Sequence, residues 1–321
     1  MADANSTFTA LVASTFRNHK AEVYDNVSRN NALFAKMRAG GNLEKESGGT
    51  TIARILDYAE NSTYQRYSGF EALSIAQSDV ISACEYSWKQ AAVNVVQSGL
   101  ELRSNSGKEA IIKLAAARAK NAMRTFANNL SIDIYSAGTA DSSKQIGGLQ
   151  ALLSTDGTGT VGGINAGTFT MWANQYKNMS GSSGTLLMSR LNDLWMNCTR
   201  GADRPTMIIA ENSVWSAVWN DMTQLQRYTA DDTSANFGFK TLQFNGVPMF
   251  FDPTTTGIPS GYAYMLNTDY IKLVVHSEAN MEPMDDKFSV NQDGVVVPVL
   301  FQGNLVLTNR ARQGVAFSFT E

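Results

Sequence analysis

The chain has 321 residues, 43% of them hydrophobic, which suits two linked lobes or one large one with a sizeable buried core. Charged side chains make up 17%, below the quarter usual in soluble domains, as expected of a subunit that hides surface against copies of itself. With 26 Lys and Arg against 29 Asp and Glu, the net charge of −3 supplies no basic field, which argues against sequence-directed nucleic-acid binding.

In chain order, residues 1–48 read as a loosely attached arm. Phe8, Leu11, Val12 and Phe16 share one face of a short helix, and a second helix over 32–39 stops at Gly40 and Gly41. The polar, glycine-ended stretch 42–49 reads as a linker. Strand character follows over 50–58 and again over 80–88, where Val80, Ser82, Cys84, Tyr86 and Trp88 share one side. The roughly twenty residues between them (59–79) far exceed a hairpin turn. That stretch is polar but carries Tyr64, Tyr67 and Phe70, which favours a contact surface over disorder.

Ser106 and Glu109 form a capping box at the start of a long helix. Its apolar face is Ile111, Ala115, Ala119, Ala122, Phe126 and Leu130, opposite Lys113, Lys120, Arg124 and Asn128. With Gly138 as its end, this helix would span about 45 Å. From about 143 to 267 helices and strands alternate. A glycine-rich stretch, 147–167, leads to a helix with Phe169, Trp172 and Tyr176, and a second helix over 185–200 aligns Leu187, Leu191, Leu194 and Cys198. Met207, Ile208 and Ile209 read as a buried strand. Asn212 caps a helix bearing Val214, Val218, Met222 and Leu225, and Asn245 with Gly246 marks a hairpin. Strands return over 270–275, 287–290, 295–301 and 304–307.

No constellation of side chains selects a reaction. Residues Gly157, Gly159 and Gly162 match the dinucleotide-binding spacing, but no buried strand precedes them and no acid stands about twenty residues on to hold a ribose. The two histidines, His19 and His276, accompany no nucleophile motif. Neither Asp231 with Asp232 nor Asp285 with Asp286 has calcium-loop spacing, so solvated turns are expected. Trp215, Trp219 and Tyr228 read as core packing. Cys84 and Cys198 fit no metal or redox spacing and read as buried thiols. The expectation is a non-enzymatic chain without cofactor or metal. Residues 1–10 lack the pattern of an export signal and no apolar run reaches membrane-span length, so a soluble chain made in the cytoplasm is expected. The four sequons, beginning at Asn26, Asn61, Asn178 and Asn197, then carry no meaning as glycan sites.

An arm, a two-stranded excursion, a long capped helix, an α/β lobe and a strand-rich return form an unusual order of parts. Gly48, Gly49, Thr50, Thr51 and Ile52, followed by residues 56–61, lead into the excursion, with 67–70 at its tip and 86–89 on its return. Residues 98–107 precede the long helix, and 303–310 with Gln313 and Gly314 lie near the end of the sequence. Together these segments resemble the tailed-bacteriophage major capsid family. Its Hong Kong 97-type α+β fold is shared with encapsulin nanocompartments and herpesvirus shells. The resemblance implies an N-terminal arm (1–48), an extended β-hairpin loop (49–97), a peripheral domain with a spine helix (98–142 and 268–321), and an α/β axial domain (143–267). It implies self-assembly as hexamers and pentamers into an icosahedral head shell around double-stranded DNA. The chain would then reside in the virion after assembly in the host bacterial cytoplasm. Implied partners are scaffolding, portal and decoration proteins and non-specifically contacted packaged DNA, with no membrane. Tyr64, Tyr67 and Phe70 would make inter-subunit contacts, and Ile111, Phe126 and Leu130 would form the spine-helix core. Some family members crosslink a loop lysine to a neighbour's asparagine; 59–79 contains no lysine, which argues against that crosslink. An encapsulin-like compartment subunit and an α/β enzyme remain the alternatives.

Overall fold

The computed structural model describes residues 33, 36–37, 40–100, 108–222, 241–283, 287–288 and 293–320. In chain order these form β1 (Leu43–Glu46), β2 (Thr51–Asp57), β3 (Ile81–Ser87), β4 (Lys89–Ser98) and helix α1 (Lys108–Asp133). Next come β5 (Thr160–Val161), β6 (Ile164–Asn165), β7 (Gln175–Asn178), α2 (Thr185–Cys198), β8 (Met207–Glu211) and α3 (Asn212–Met222). The remainder is β9 (Thr241–Phe244), β10 (Val247–Asp252), β11 (Ala263–Leu266), β12 (Ile271–Pro283), β13 (Lys287–Phe288), β14 (Gly294–Leu307) and β15 (Gly314–Phe317).

One five-stranded sheet is centred on β12 and β14, which run antiparallel. Strand β4 adds antiparallel to β14 along ten residues, β13 pairs briefly with β14, and β1 lies parallel to β12. Helix α1 packs on β4. Its alanine-rich sequence, free of glycine and proline, favours the helix. Its period buries Ala119, Ala122, Met123, Phe126 and Leu130 and exposes Lys120, Arg124 and Asn128. The Phe126 ring meets Phe301 of β14 at 5.7 Å, tying helix to sheet. Ile111 lies in the first turns of α1, where side chains are outside the described residues, as is Ser106 of the capping box. The 26-residue helix ends at Asp133, short of Gly138, so its length is about 39 Å.

The second sheet has six strands in the order β7-β15-β11-β8-β10-β9. Strands β8 and β10 are parallel, and β9 and β10 form the expected hairpin. Asn245 (φ 49°) and Gly246 (φ 77°) both take the left-handed conformation that a two-residue hairpin turn requires. Every residue of β8 is buried. Met207 and Ile209 face the core that holds the end of α1, while Ile208 and Ala210 face α2 and α3. A strand buried on both faces has no solvent-facing side, which is why residues 207–210 read as an unbroken apolar run.

Several expectations are corrected. Residues 43–46 are a strand, not a linker, because long-range pairing with β12 satisfies their backbone. Residues 89–97, expected in the extended loop, lie in β4 of the five-stranded sheet. The expected strands 295–301 and 304–307 are one strand. Gly303 does not break it but permits close approach, since a Cβ there would stand 2.6 Å from the Val274 carbonyl oxygen. Phe169, Trp172 and Tyr176 share no helix: Thr170–Trp172 is a 3-10 turn, and Tyr176 lies in β7, drawn into strand by pairing with β15. The segment 268–321 divides, because β15 leaves the first sheet and joins the second. Residues 1–32, which include His19 and the apolar positions of the arm, lie outside the described residues.

Candidate assembly surface

Strands β2 and β3 pair in register from Thr51 opposite Ser87 to Asp57 opposite Ile81. Alternation then sorts their side chains. Ile52, Leu56, Cys84 and Tyr86 are buried on one face, while Ile55 (81% exposed) and Ile81 lie on the other. The buried face is held by the Tyr86 hydroxyl donating to the Leu307 carbonyl at 2.9 Å. Burial pushes the Cys84 thiol and the Tyr86 phenol upward, so both stay neutral. The Glu85 amide donates to the Gly162 carbonyl at 3.0 Å, which brings the β5-β6 hairpin onto the ribbon. Gly162 is required there: φ is 59°, and a Cβ would stand 2.9 Å from that of Cys84. Midway along β2, Arg54 pairs with Glu44 at 2.7 Å and Glu46 at 2.6 Å, both on β1, and Lys272 of β12 also pairs with Glu44. The Lys272 hydrogen bond, with the Arg54 charge behind it, holds the Glu44 carboxyl below its ordinary value. The ribbon is therefore seated along the body, and only what lies beyond it projects.

That projection is 59–79, closed at its base by the Tyr58 amide donating to the Val80 carbonyl at 3.0 Å. It is neither helix nor strand. Its two limbs are braced by side chains standing in for backbone pairing. Gln65 Nε2 donates to the Ala72 carbonyl at 3.0 Å, its Oε1 accepts from the Ser74 amide at 3.2 Å, and the Ser62 amide donates to Ser78 Oγ at 3.2 Å. Tyr64, Tyr67, Phe70 (109% exposed), Leu73 and Ile75 (98%) all face outward. Five large apolar side chains therefore lie exposed within this one segment. Where the projection meets the ribbon, a cavity of about 130 Å³ is lined by Tyr58, Asp79, Ile81, Ser82, Ile164, Phe169 and Met171.

No family model and no curated protein matches this sequence. Solved structures do. The chain is similar to the capsid asymmetric unit of Cyanophage A-1(L), with 14% identity over 93% of each chain and a TM-score of 0.65. It is also similar to the capsid of an empty GTA particle (13% identity, 88% of this chain and 90% of that one, TM-score 0.56). A chain from Mycobacterium phage Cain is similar over the same shares, with 14% identity and a TM-score of 0.53. The chain has the tailed-phage capsid fold.

Within this capsid fold the residues singled out as chemical candidates have structural settings. The loop of Gly157, Gly159 and Gly162 wraps Arg310, whose Nε donates to the Leu152 carbonyl at 2.8 Å and whose Nη2 reaches Ser154 Oγ at 3.0 Å and the Thr158 carbonyl at 2.9 Å. Arg310 is 1% exposed and acts as a strap between the chain's end and this loop. Gln313, also fully buried, exchanges two hydrogen bonds with the Asn267 backbone, at 2.9 and 3.0 Å. Nothing in the sequence around either residue signals these roles. Lone polar residues after an apolar strand carry no signal of what they will strap. Trp215 stacks on Trp219 at 5.1 Å and packs against Phe251; Tyr228, Leu225, Asp231, Asp232, Asp285 and Asp286 lie outside the described residues. His276 sets its ring edge to Trp88 at 5.8 Å. Cys198 is buried and its thiol pushed up to about 12. Asn212 is the first helical residue of α3, and Glu211 before it serves the helix start: its carboxylate accepts the Ser213 amide at 3.1 Å, the Ser213 hydroxyl, and the Gly261 amide at 3.2 Å. Among the described residues no three His, Cys, Asp or Glu converge as metal ligands, and no helix is long and apolar enough to cross a membrane.

Proposed function

We propose that this chain is a structural head-shell subunit that assembles with itself, as hexamers and pentamers, around double-stranded DNA. The observation that carries the reading is the projection 59–79, which gathers three aromatic and two aliphatic exposed side chains in one short segment. An isolated subunit leaves that surface wet; a closed shell of like subunits covers it at every copy. In this reading α1 and the five-stranded sheet are the peripheral domain and the six-stranded sheet is the axial domain. Tyr64, Tyr67 and Phe70 contact neighbours. The shell lies in the virion, built in the bacterial cytoplasm with scaffolding and portal proteins, decoration proteins on its outside and packaged DNA touched without sequence preference. No catalytic step is assigned to the chain.

The test is electron microscopy and sedimentation of the expressed chain across salt concentrations, with and without co-expressed head proteins. Closed shells or capsomer rings are the expected product, and a persistent monomer under every condition would overturn the reading. The contents then separate a DNA head from an encapsulin-like compartment, which would hold a cargo protein.

A further inference from the structure

Between Ile55 and Trp88 the chain carries five acids, Asp57, Glu60, Glu71, Asp79 and Glu85, but one cation, Arg66. The charges are segregated. Asp57, Glu60 and Asp79 stand at the base of the projection, with Asp79 on the wall of the cavity there. Arg66 stands in the outer part of the loop, between Tyr64 and Tyr67 and four residues before Phe70, and makes no ion pair among the described residues. The remaining tip acid, Glu71, accepts the Ser68 amide at 3.1 Å within its own turn.

We propose that the tip of one copy docks head-to-tail at the base of the projection of a neighbouring copy, with Phe70 in the cavity and Arg66 on Asp79. The cavity is apolar on most sides, from Tyr58, Ile81, Ile164, Phe169 and Met171, with a single carboxylate at Asp79. It therefore suits an aromatic ring with a cation close by in sequence, which is the composition of the tip. Phe169 is half exposed and sets its ring against Tyr58 at 6.3 Å, so the rim offers aromatic surface to an incoming ring. The loop's own braces, from Gln65 to Ala72 and Ser74, hold the tip outward, so a second copy is its occupant. Knob and socket are different surfaces, and set head-to-tail they make a heterologous contact, the kind that closes into rings. This inference rests on the assembly reading above and gives it a contact.

Charge reversal tests it in trans. Arg66→Asp gives a chain with an acidic tip and an acidic base, and Asp79→Arg one with both basic. Each alone should lose at least about tenfold in the multimer fraction by sedimentation, the loss typical of an interface anchor. Mixed, the two chains complement each other at both contacts and should regain multimers containing both. Phe70→Ser should lose assembly in every combination, with circular dichroism and melting unchanged for all variants. If the mixture stays as poor as its parts while the double reversal in one chain recovers, the contact is within one chain and the docking is overturned. It is also overturned if the variants assemble like the parent, an outcome that leaves the assembly reading standing. A parent chain that never assembles sinks both.

Discussion

Asp252 closes β10 with 3% of its surface exposed, opposite Glu211 of β8, and accepts a hydrogen bond from the equally buried Tyr135 hydroxyl just beyond α1. Burial pushes its carboxyl up to about 6, against the Tyr135 hydrogen bond, which lowers it. The unfolded value is about 3.9, so the folded chain holds an extra proton between about pH 4 and pH 6. The resulting stability is fully present below about pH 4 and lost as pH rises through about 6. At about 1.4 kcal/mol per pH unit, the ionised group costs the fold of the order of 3 kcal/mol at pH 8. Asp252→Asn keeps an acceptor for Tyr135 and removes the ionisation. Its melting temperature at pH 8 should exceed the parent's, and the difference should vanish by pH 4; identical pH profiles would contradict this assignment. Phe126 makes a simpler claim. Buried against Phe301, its replacement by Ala should cost roughly 3–5 kcal/mol in denaturant unfolding, while Lys120→Ala on the exposed face of α1 should stay within about 0.5 kcal/mol.

At the level of elements, the ribbon is placed by a few specific contacts. Arg54 bridges β2 to Glu44 and Glu46 of β1, so Arg54→Gln should loosen the ribbon without unfolding the body. Partly exposed pairs contribute about 1 kcal/mol or less, so global stability should scarcely change, yet hydrogen exchange in β2 and β3 should accelerate. Unchanged exchange would assign the ribbon's seating to its buried face and to the hydrogen bond from Glu85 to Gly162. Strand β1 itself left no trace in the sequence. Its four residues, Leu43 to Glu46, are three-quarters charged, and their backbone partners lie some 230 residues away on β12. Charged side chains in a strand make sense only when Arg54 and Lys272 arrive beside them. Helix α1, in contrast, was legible because its period, composition and lack of breakers are all local. The hairpin at Asn245 and Gly246 was legible for the same reason.

For the whole molecule, the decisive question is where the stability of the projection resides. Replacing Tyr64, Tyr67 and Phe70 together by Ser removes three exposed rings. The unassembled subunit should melt within a degree or two of the parent, while shell yield should collapse, because the penalty recurs at each copy of the contact. Equal losses in both would mean that the rings pack within their own subunit. The order of parts, the amphipathic helices α1 and α2, the buried strand β8 and the aromatic stretch 59–79 were determined by the sequence itself, since each rests on spacing within a dozen or so residues. Only the tertiary structure decided that the ribbon lies seated along the body, that β1 joins β12, that Gly303 lets one strand run on, and that β15 crosses to the second sheet. It also decided that Arg310 and Gln313, unremarkable in the sequence, strap the chain's end to distant loops. These features depend on backbone and side-chain groups far apart in the chain finding one another. A buried polar group must be paired wherever a partner lies, and the sequence around it does not say where that is.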